Sequence, residues 1–501
     1  QLRHYYETEG RHDPAVIEFP KGSYVPVIRI REGRRDDQSR ADLADSVKTI
    51  AVLPFVDMSP QQDQEYFCDG ISEELTNALT HVEGLRVVAR TSAFAFKGKN
   101  QDAREIGSIL GVSSLLEGSV RKAANRVRIT AQLVSVSDGY HIWSDTFDRE
   151  IRDVFSVQDE ISRAIVKALK VRLGGPQSWP LVRPHTENLK AYNLYLQGRY
   201  YWNQQTESAM RKACRFFEQA VAADPEYALA YVGVSDAYRL LGWWGAAEPH
   251  KVMPRVKEAL AKALELDNGI AEAHYSLGVA KAWYERDWQG AERHLMRALE
   301  LKPYCPAAHH AYAAVYLLPM NRLEEAVGIM ERAHELDPLS LFISASLGWV
   351  YHLTGRYDDA IAQYQEMIEI NPDYFLVHLY LGYAYEHKGA LDQALTAFRK
   401  ALEVSGRSPL ALGSLGHCLA LAGDKKAARA VVTELQKLAR RRYVPAIDVA
   451  MIPMAQDEPA LAMKHLERAD QERCGRLIWA GADPRFHRLR SQPEFRALIQ
   501  R

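Results

Sequence analysis

The pattern of apolar and polar positions changes its period along the chain. Between residues 48 and 150, short apolar or alternating runs such as KTIAVLPF, Lys48–Phe55, are separated by turn residues, and these runs predict strands. Other stretches carry apolar residues at helical spacing, as at Ile71, Leu75 and Leu79. With an amphipathic helix closing the region near residue 173, the predicted order is β-α-β-α-β-β-β-α, which is typical of an α/β sheet covered by helices.

From about residue 187 onward the apolar spacing is helical and a turn signal recurs. The signal falls at Asp224-Pro225, Leu266-Asp267, Lys302-Pro303, Asp337-Pro338 and Asn371-Pro372. Most of these intervals are close to the ~34-residue period of the tetratricopeptide repeat, TPR. The small and aromatic positions of one unit match the same pattern, at Gly348, Tyr351, Ala360, Tyr364 and Pro372. The sequence therefore predicts an all-α TPR superhelical solenoid, in which units stack because one unit cannot bury its own apolar face.

The TPR spacing also predicts how the two helices of a unit meet. We expect a small residue of the first helix to face a small residue of the second, as Gly348 would face Ala360. The aromatic residue one turn away, Tyr364, would fill the space beside that contact. The last twenty or so residues predict a polar capping segment, which solenoids need at their ends.

Charge and the density of Gly and Pro place the domain boundaries. The segment Arg31–Ser46 is highly charged and has no aromatic residue, which indicates a linker. A second break, GGPQSWPLVRPH at Gly174–His185, ends the preceding helix. The division is a helix-hairpin stub at 1–30, a linker at 31–47, an α/β domain at 48–173, a linker at 174–186, and TPR repeats with a C-terminal cap at 187–501.

The α/β region resembles a known family. The run KTIAVLPFVDMSPQQDQEYFCDGISEELTNAL, followed by VVARTSAFAFKGK, LLEGSVRK, RVRITAQLV and IWSDTFDRE, is similar to the TolB-like amino-terminal domain that precedes TPR arrays in bacteria. The resemblance covers nearly all of Lys48–Leu173. It implies a mixed α/β module that takes part in protein contacts and has no known enzymatic activity.

One stretch, GYHIWSDTFDRE at Gly139–Glu150, has the composition of a catalytic or metal-binding cluster. On an extended strand, His141, Trp143, Asp145 and Phe147 would share one face, so Asp145 and Asp148 would point to opposite faces. The chain contains no phosphate-binding, dinucleotide, zinc-protease or serine-hydrolase motif, and its five cysteines lack zinc or disulfide spacing. We therefore expect no catalytic site, no metal and no cofactor.

The stub at residues 1–30 resembles the last helix and hairpin of a winged-helix domain, of the kind that precedes some TolB-like/TPR fusions in bacterial regulators. The resemblance implies a wing near residues 21–24, with Arg3, His4 and Lys21 as candidate DNA-binding residues that meet phosphates. The alternative is a truncated helix-hairpin that binds nothing. The sequence leaves both open.

The inner face of a TPR superhelix offers the second candidate site. Counting along the first helices gives the candidate partner-binding residues Trp349, His352, Leu379, Tyr383, Glu386 and His417. Such an aromatic and aliphatic groove suits a protein or peptide segment with apolar side chains. The alternative is that neighbouring parts of the chain cover these residues. The pair Trp243-Trp244 lies in a long loop, and we expect it to fold back onto the repeats.

The chain as a whole adds few constraints. Its net charge is -1, it has no apolar run of membrane-spanning length, and it begins at Gln1 without a signal peptide. We expect a cytoplasmic protein, and a piece of a longer one. The sequence favours a non-enzymatic bacterial interaction scaffold or regulatory protein. The alternatives are a transcriptional regulator with a TolB-like/TPR sensor arm and, third, the C-terminal regulatory part of a nucleotide cyclase or protein kinase.

Overall fold

A computed structural model describes residues 15–18, 27–30, 48–80, 82, 84–150, 154–168 and 185–500. The candidate DNA-binding residues Arg3, His4 and Lys21 lie outside the described residues, as does the linker at 31–47. In the stub, strands β1 (Ala15–Glu18) and β2 (Val27–Ile30) pair antiparallel. The short hairpin predicted there is present.

The α/β domain follows the predicted order of elements. Its strands are β3 (Lys48–Val52), β4 (Val56–Asp57), β5 (Leu85–Val87), β6 (Ser114–Ala123), β7 (Arg126–Ser135) and β8 (His141–Glu150). Its helices are α1 (Glu65–Thr80), α2 (Arg90–Phe94), α3 (Ala103–Leu110) and α4 (Val154–Ala168). The short helix α2 was not expected from the sequence. Strand β5 is shorter than the run LRVVAR suggests because it pairs only with the first three residues of β3.

The six strands form one mixed sheet in the order β5-β3-β6-β7-β8, with β4 paired to β6. The pairs β3–β5 and β3–β6 are parallel, whereas β6, β7 and β8 run antiparallel. Helices α1 and α4 cover one face, where Phe67, Ile71 and Val157 share a core cluster with Ile129. On the other face, α3 contributes Ile106 to a smaller cluster against β3 and β6. The parallel half of the sheet is therefore buried on both faces, as parallel sheets require.

Residues 185–500 form a TPR-like solenoid with eight antiparallel helix pairs. The pairs are α5 (Leu189–Asn203) with α6 (Glu207–Ala223), α7 (Ala228–Trp243) with α8 (Pro249–Leu266), α9 (Ala271–Ala280) with α10 (Trp288–Leu301), α11 (Pro306–Ala311) with α12 (Leu323–Leu336), α13 (Leu341–Leu353) with α14 (Tyr357–Ile370), α15 (Phe375–His387) with α16 (Leu391–Val404), α17 (Pro409–Leu421) with α18 (Lys425–Ala439), and α19 (Ala446–Ala455) with α20 (Pro459–Gln471). Helix α9 continues as a π-helical turn at Lys281–Glu285, and α11 continues as a second one at Tyr312–Leu317. A last helix, α21 (Pro493–Gln500), follows two 3₁₀ turns at Gly475–Trp479 and Pro484–Leu489.

Glycine and an aromatic ring make the close contact within a repeat. A Cβ on Gly382 would lie 2.5 Å from the Phe398 ring, and one on Gly348 would lie 2.5 Å from the Tyr364 ring. The expected pairing of Gly348 with the small residue Ala360 is therefore wrong in detail. The first helix needs glycine because the aromatic side chain of the second helix lies directly against its backbone.

The α/β domain docks onto the solenoid at two places. On α1, the Glu73 carboxylate accepts a hydrogen bond from Arg199 of α5 at 2.6 Å and forms an ion pair with Arg90 at 3.1 Å. Further along, the Ser92 hydroxyl donates to Asp337 at 2.6 Å, in the turn between α12 and α13. The Leu339 amide donates back to the same hydroxyl at 3.0 Å. The domain thus spans repeats that are far apart in sequence.

The second helix pair of the solenoid also meets the last one. Pro445 directly precedes α19 and lies 2.9 Å from the position that a Cβ on Gly245, in the loop before α8, would take. His250 Nε2 lies 2.8 Å from the carbonyl oxygen of Gln471, at the end of α20. A cavity of about 290 Å³ lies along this seam, with Tyr443 and Arg468 in its wall. The array is therefore closed on itself.

Candidate functional site

Most of the acidic stretch Gly139–Glu150 forms β8, which pairs with β7. Asp148 lies opposite Arg128 in the ladder and forms ion pairs with Arg126 at 2.5 Å and Arg128 at 2.7 Å, on an exposed face of the sheet. These two guanidinium groups lower the pKa of the Asp148 carboxyl. Among the described residues, no group of three His, Cys, Asp or Glu side chains is placed to hold a metal ion.

His141 departs from the expected alternation on β8. A register shift between Leu133 and Val134 places His141 opposite Val134, while Trp143 lies opposite Leu133. Because neighbouring residues of a strand point to opposite faces, His141 and Trp143 do not share one. The bulge thus separates the histidine from the face on which simple alternation placed it.

The first helices of the repeats build a continuous surface, which we call the first-helix face. It is formed by α7, α9, α11, α13, α15, α17 and α19 with the π-helical turns that follow α9 and α11. Residues 475–489, which we call the inner segment, lie against this face. Its residues from Ala482 onward belong to the stretch predicted to cap the solenoid, so part of the predicted cap lies against this face, whereas residues 475–481 precede that stretch.

Trp479 of the inner segment occupies a seat made by three other tryptophans. Its ring lies edge-on to Trp349 at 4.8 Å, to Trp243 at 5.0 Å and to Trp283 at 6.4 Å between centroids. Its indole N–H donates a 2.6 Å hydrogen bond to the carbonyl oxygen of Ala314. Edge-to-face aromatic contacts and a satisfied indole N–H are what a buried tryptophan requires. We call this arrangement the indole seat.

A charged pair follows Trp479 along the inner segment. The Arg485 guanidinium stacks on the Tyr383 ring, 4.0 Å from its centroid, and its Nε donates to Asp483 at 2.9 Å. Both charged side chains are about 10% exposed. Burial raises the pKa of Asp483, but the adjacent Arg485 outweighs it and holds the pKa at about 2. The pair therefore remains ionised over the whole range in which the protein is handled.

His352 lies beside this pair and is almost fully buried. Its ring meets that of His387 edge-on at 4.8 Å. Burial, and then the positive charge that His387 can carry, lower the pKa of His352 to about 3. The imidazole is therefore neutral at pH 7, and its Nδ1 has no hydrogen-bond partner in the described part of the chain.

The structure brings four of the six candidate partner-binding residues to the inner segment or next to its charged pair. Trp349 and Tyr383 contact it directly, and His352 and Glu386 interact electrostatically with Asp483 or Arg485. His417 lies behind them and pairs with Glu386 at 3.1 Å. Leu379 is fully buried in the core cluster that contains Phe398, and it is not part of the exposed face.

Sequence reasoning missed Trp283, Trp479 and the carbonyl of Ala314. The signal for Trp479 is the run RLIWAG at Arg476–Gly481, an apolar stretch inside an otherwise polar tail. The pair Trp243-Trp244 was expected in a long loop, and this is wrong for Trp243, which is the last residue of α7. The expectation that Trp243 packs onto the repeats is confirmed, since it stacks on Trp283 at 4.7 Å. No local pattern could have shown that the four rings converge.

The comparisons with protein families agree with the solenoid. Residues 348–389 match a family model described as TPR repeat, and residues 381–442 match one described as tetratricopeptide repeat. Together these matches cover residues 348–442, which contain α14 to α18 and the last part of α13. The C-terminal part of the chain is a TPR solenoid.

Two curated relatives are named for different functions. The putative adenylate cyclase 3 of Rhizobium meliloti is 35% identical over 281 residues, which are 55% of this chain and 48% of that protein. The transcriptional regulator HilA of Salmonella typhimurium is 24% identical over 316 residues, 61% of this chain and 54% of that protein. This chain spans about half the length of the curated relatives it matches.

Solved TPR structures are also similar to parts of this chain. YrrB, described as a TPR protein with an unusual peptide-binding site, is 23% identical; the match covers 39% of this chain and 95% of YrrB, with a TM-score of 0.27. The pilF protein of Pseudomonas aeruginosa is 21% identical; that match covers 41% of this chain and 92% of pilF, with a TM-score of 0.32. TM-scores this low carry no argument about function. Among the described residues, no helix is long and apolar enough to cross a membrane.

Proposed function

We propose that this chain is a non-enzymatic bacterial interaction protein whose first-helix face binds a segment of a partner protein. The observation that carries the proposal is the indole seat, since four first helices or their π-helical turns contribute a ring or a carbonyl to one side chain. A surface shaped for one large aromatic anchor is typical of protein recognition. The proposed binding residues are Trp349, Tyr383 and His352, with Glu386 and His417 behind them.

The two relatives support a role other than catalysis for the region they share with this chain. Their alignments cover 55% and 61% of the chain, so they must overlap. One relative carries the printed name of a cyclase and the other that of a transcriptional regulator. A region that occurs both in a protein named as a cyclase and in one named as a transcriptional regulator is best explained as a regulatory or assembly module. In this proposal the α/β domain is a TolB-like module that holds the repeats in place.

A peptide selection tests the binding proposal. Phage-displayed random peptides are selected on the full chain, and the Kd of each selected peptide is measured by fluorescence anisotropy. Trp349→Ala and Tyr383→Ala should each weaken binding about tenfold or more, as loss of a central aromatic anchor does. Ile370→Ala is the matched control, because Ile370 is exposed on α14 outside the first-helix face.

Circular dichroism must show that all three variants keep the helical fold. Unchanged Kd values for both aromatic variants would remove the first-helix face as the binding site. Equal losses in all three variants would point to a general effect on the solenoid, and the proposal would fall in that case too.

A transcriptional regulator is the second candidate function. The similarity to HilA favours it, together with the antiparallel pairing of β1 and β2 on either side of the proposed wing. In this proposal Arg3, His4 and Lys21 meet DNA phosphates. The similarity to the putative adenylate cyclase supports a third candidate, in which the chain is the regulatory part of such an enzyme.

DNA binding separates the second candidate from the first. The full natural protein should bind duplex DNA with an affinity that falls steeply as salt rises, because phosphate contacts release counterions. A fragment beginning at Lys48 should not bind. Equal binding by both proteins, or by neither, would exclude DNA contact through the stub.

A further inference from the structure

The inner segment lies where a partner would have to bind. Between Cys474 and Phe486 it contacts the first-helix face at Trp283, Trp349 and Tyr383, among others. These positions belong to three different repeats. The face on which the proposed function rests is thus occupied by the chain itself.

Part of the indole seat is built from irregular backbone. Trp283 lies in the π-helical turn Lys281–Glu285, and Ala314 lies in the π-helical turn Tyr312–Leu317. A π-helical turn shifts the hydrogen-bond ladder of the helix by one residue and so changes the direction of its side chains and carbonyls, and such turns are frequent at functional sites. Two of the four groups that form the seat therefore depart from the regular repeat at the places where they hold Trp479.

The fit of the inner segment is incomplete. Three buried nitrogens have no hydrogen-bond partner among the residues that the structure describes: Trp283 Nε1, His352 Nδ1 and Arg286 Nη1. All three residues border the inner segment, since Arg286 donates from its other terminal nitrogen to the Cys474 carbonyl at 3.4 Å. A buried polar atom without a partner costs free energy that a better-matched ligand would recover. The face is thus only partly satisfied by its own chain.

The inner segment is held at both ends by the terminal core cluster. Cys474 directly before it and Phe486 and Leu489 near its end are buried in that cluster, which also contains Leu477 and Ala480 from within the segment. Gly475 and Gly481 add backbone freedom to the stretch between these ends. Release of residues 475–485 would leave Cys474, Phe486 and Leu489 in place, but it would take Leu477 and Ala480 out of the cluster and separate Arg476 from the buried Asp448, to which it donates at 2.6 Å.

We propose that the inner segment is an internal ligand that occupies the first-helix face until a tryptophan-bearing segment of a partner protein replaces it. The partner's indole takes the seat of Trp479, and its polar groups satisfy the Trp283 and His352 nitrogens. This proposal rests on the proposed function, because it assumes that the first-helix face binds a partner. It adds the chemistry of the anchor and the reason why the face is closed at rest.

The inner segment and the partner segment compete for the first-helix face, and this competition sets the Kd that is measured for the partner. When only a fraction of the molecules has an open face, the apparent Kd rises by the inverse of that fraction. Removing Trp479 should therefore strengthen the binding of any ligand that uses the indole seat. Strengthening by a mutation is a result that a purely structural role of Trp479 does not produce.

The probe for this experiment is a fluorescein-labelled synthetic peptide with the sequence of residues 474–490. Its binding is measured by anisotropy to the full chain, to Trp479→Ala and to the double variant Trp479→Ala/Trp349→Ala. We expect Trp479→Ala to bind the peptide about tenfold tighter or more than the unmodified chain. The double variant should lose this gain, and so should a peptide in which the tryptophan is replaced by alanine. Leu461→Ala, exposed on α20, is the matched control and should behave like the unmodified chain.

Two results would overturn the proposal. A folded Trp479→Ala chain that binds the peptide no better than the unmodified chain would make the inner segment a fixed part of the fold. A dimer of the unmodified chain in sedimentation equilibrium, dissociated by the peptide, would make a second copy the occupant.

Hydrogen exchange of the unmodified chain covers the case in which Trp479→Ala does not fold. The amides of residues 477–482 should exchange through local opening, faster than the central amides of α13 and α15. Equal protection of the three regions would overturn the proposal. Failure of the proposed function would be seen in a different experiment. There, Trp349→Ala and Tyr383→Ala would leave the Kd of the selected peptides unchanged.

Discussion

His352, a buried imidazole in the first-helix face, makes the stability of the folded chain depend on pH. In the folded chain the pKa of His352 is lowered to about 3 by burial and by His387. In the unfolded chain a histidine has a pKa of about 6.5. Between these values the unfolded state binds a proton that the folded state does not, so stability falls as the pH falls through this window.

Replacing His352 by glutamine should flatten the pH dependence of stability. The free energy of unfolding of the unmodified chain should fall between pH 6 and pH 4, and one such histidine contributes a slope of about 1.4 kcal/mol per pH unit. The slope for His352→Gln should be smaller by up to that amount, whatever its stability at pH 7. Urea titrations at pH 6, 5 and 4 measure both slopes. Parallel curves would show that His352 is protonated in the folded protein.

At the scale of the elements, the contact between glycine and an aromatic ring sets the distance between the two helices of a repeat. A Cβ on Gly382 would lie 2.5 Å from the Phe398 ring, which is fully buried and cannot move aside. Gly382→Ala should therefore destabilise the protein by about 2 kcal/mol, the usual cost of overpacking a core. Chemical denaturation followed by far-UV circular dichroism measures the difference.

Gly328 provides the matched control for this prediction. It lies in the interior of α12, and a Cβ there would meet no atom within 4 Å. Gly328→Ala should stabilise the protein by about 0.5–1 kcal/mol, because alanine loses less backbone entropy than glycine in a helix. If both variants change stability in the same direction, the close contact in the repeat is not what requires glycine at 382.

The elements were predictable where they depend on local pattern. The strand order of the α/β domain and the helix pairs follow from apolar periodicity and from turns such as Asp337-Pro338, because these signals lie within each element. The bulge before Trp143 and the π-helical turn around Ala314 were not predictable, since each adjusts the backbone to residues elsewhere. The seat of Trp479 was the least predictable feature. Its hydrogen bond to Ala314 joins residues 165 positions apart.

At the scale of the whole molecule, one mostly buried carboxylate helps to tie the α/β domain to the first repeat. Glu73 is only 17% exposed and lies between Arg90 of its own domain and Arg199 of α5. Burial raises the pKa of Glu73, but the two arginines outweigh it, so the group is held ionised. If Glu73 carried no charge, the guanidinium groups of Arg90 and Arg199 would repel each other across the junction between the α/β domain and the first repeat.

Glu73→Gln should therefore destabilise the folded chain by about 3 kcal/mol, because it leaves buried cations without a counter-charge. The α/β domain should also begin to unfold separately from the repeats. Urea titration with two probes, tryptophan fluorescence for the repeats and hydrogen exchange in β7, would detect two transitions. Glu160→Gln is the control, because its ion pair with Arg149 lies within the α/β domain. Both side chains of that pair are 43% exposed, and the pair should contribute less than about 1 kcal/mol.

The contact between the second and the last helix pair has a consequence for how this protein can evolve. It is made by Gly245 with Pro445 and by His250 with Gln471. An open array tolerates duplication or loss of a unit, because each unit contacts only its neighbours. In this chain one additional helix pair would carry the last repeats past the loop before α8, and Trp479 would no longer reach the carbonyl of Ala314. Lengthening by unequal crossing-over is therefore selected against, and the count of helix pairs should be as constant among close homologues as the number of blades in a propeller.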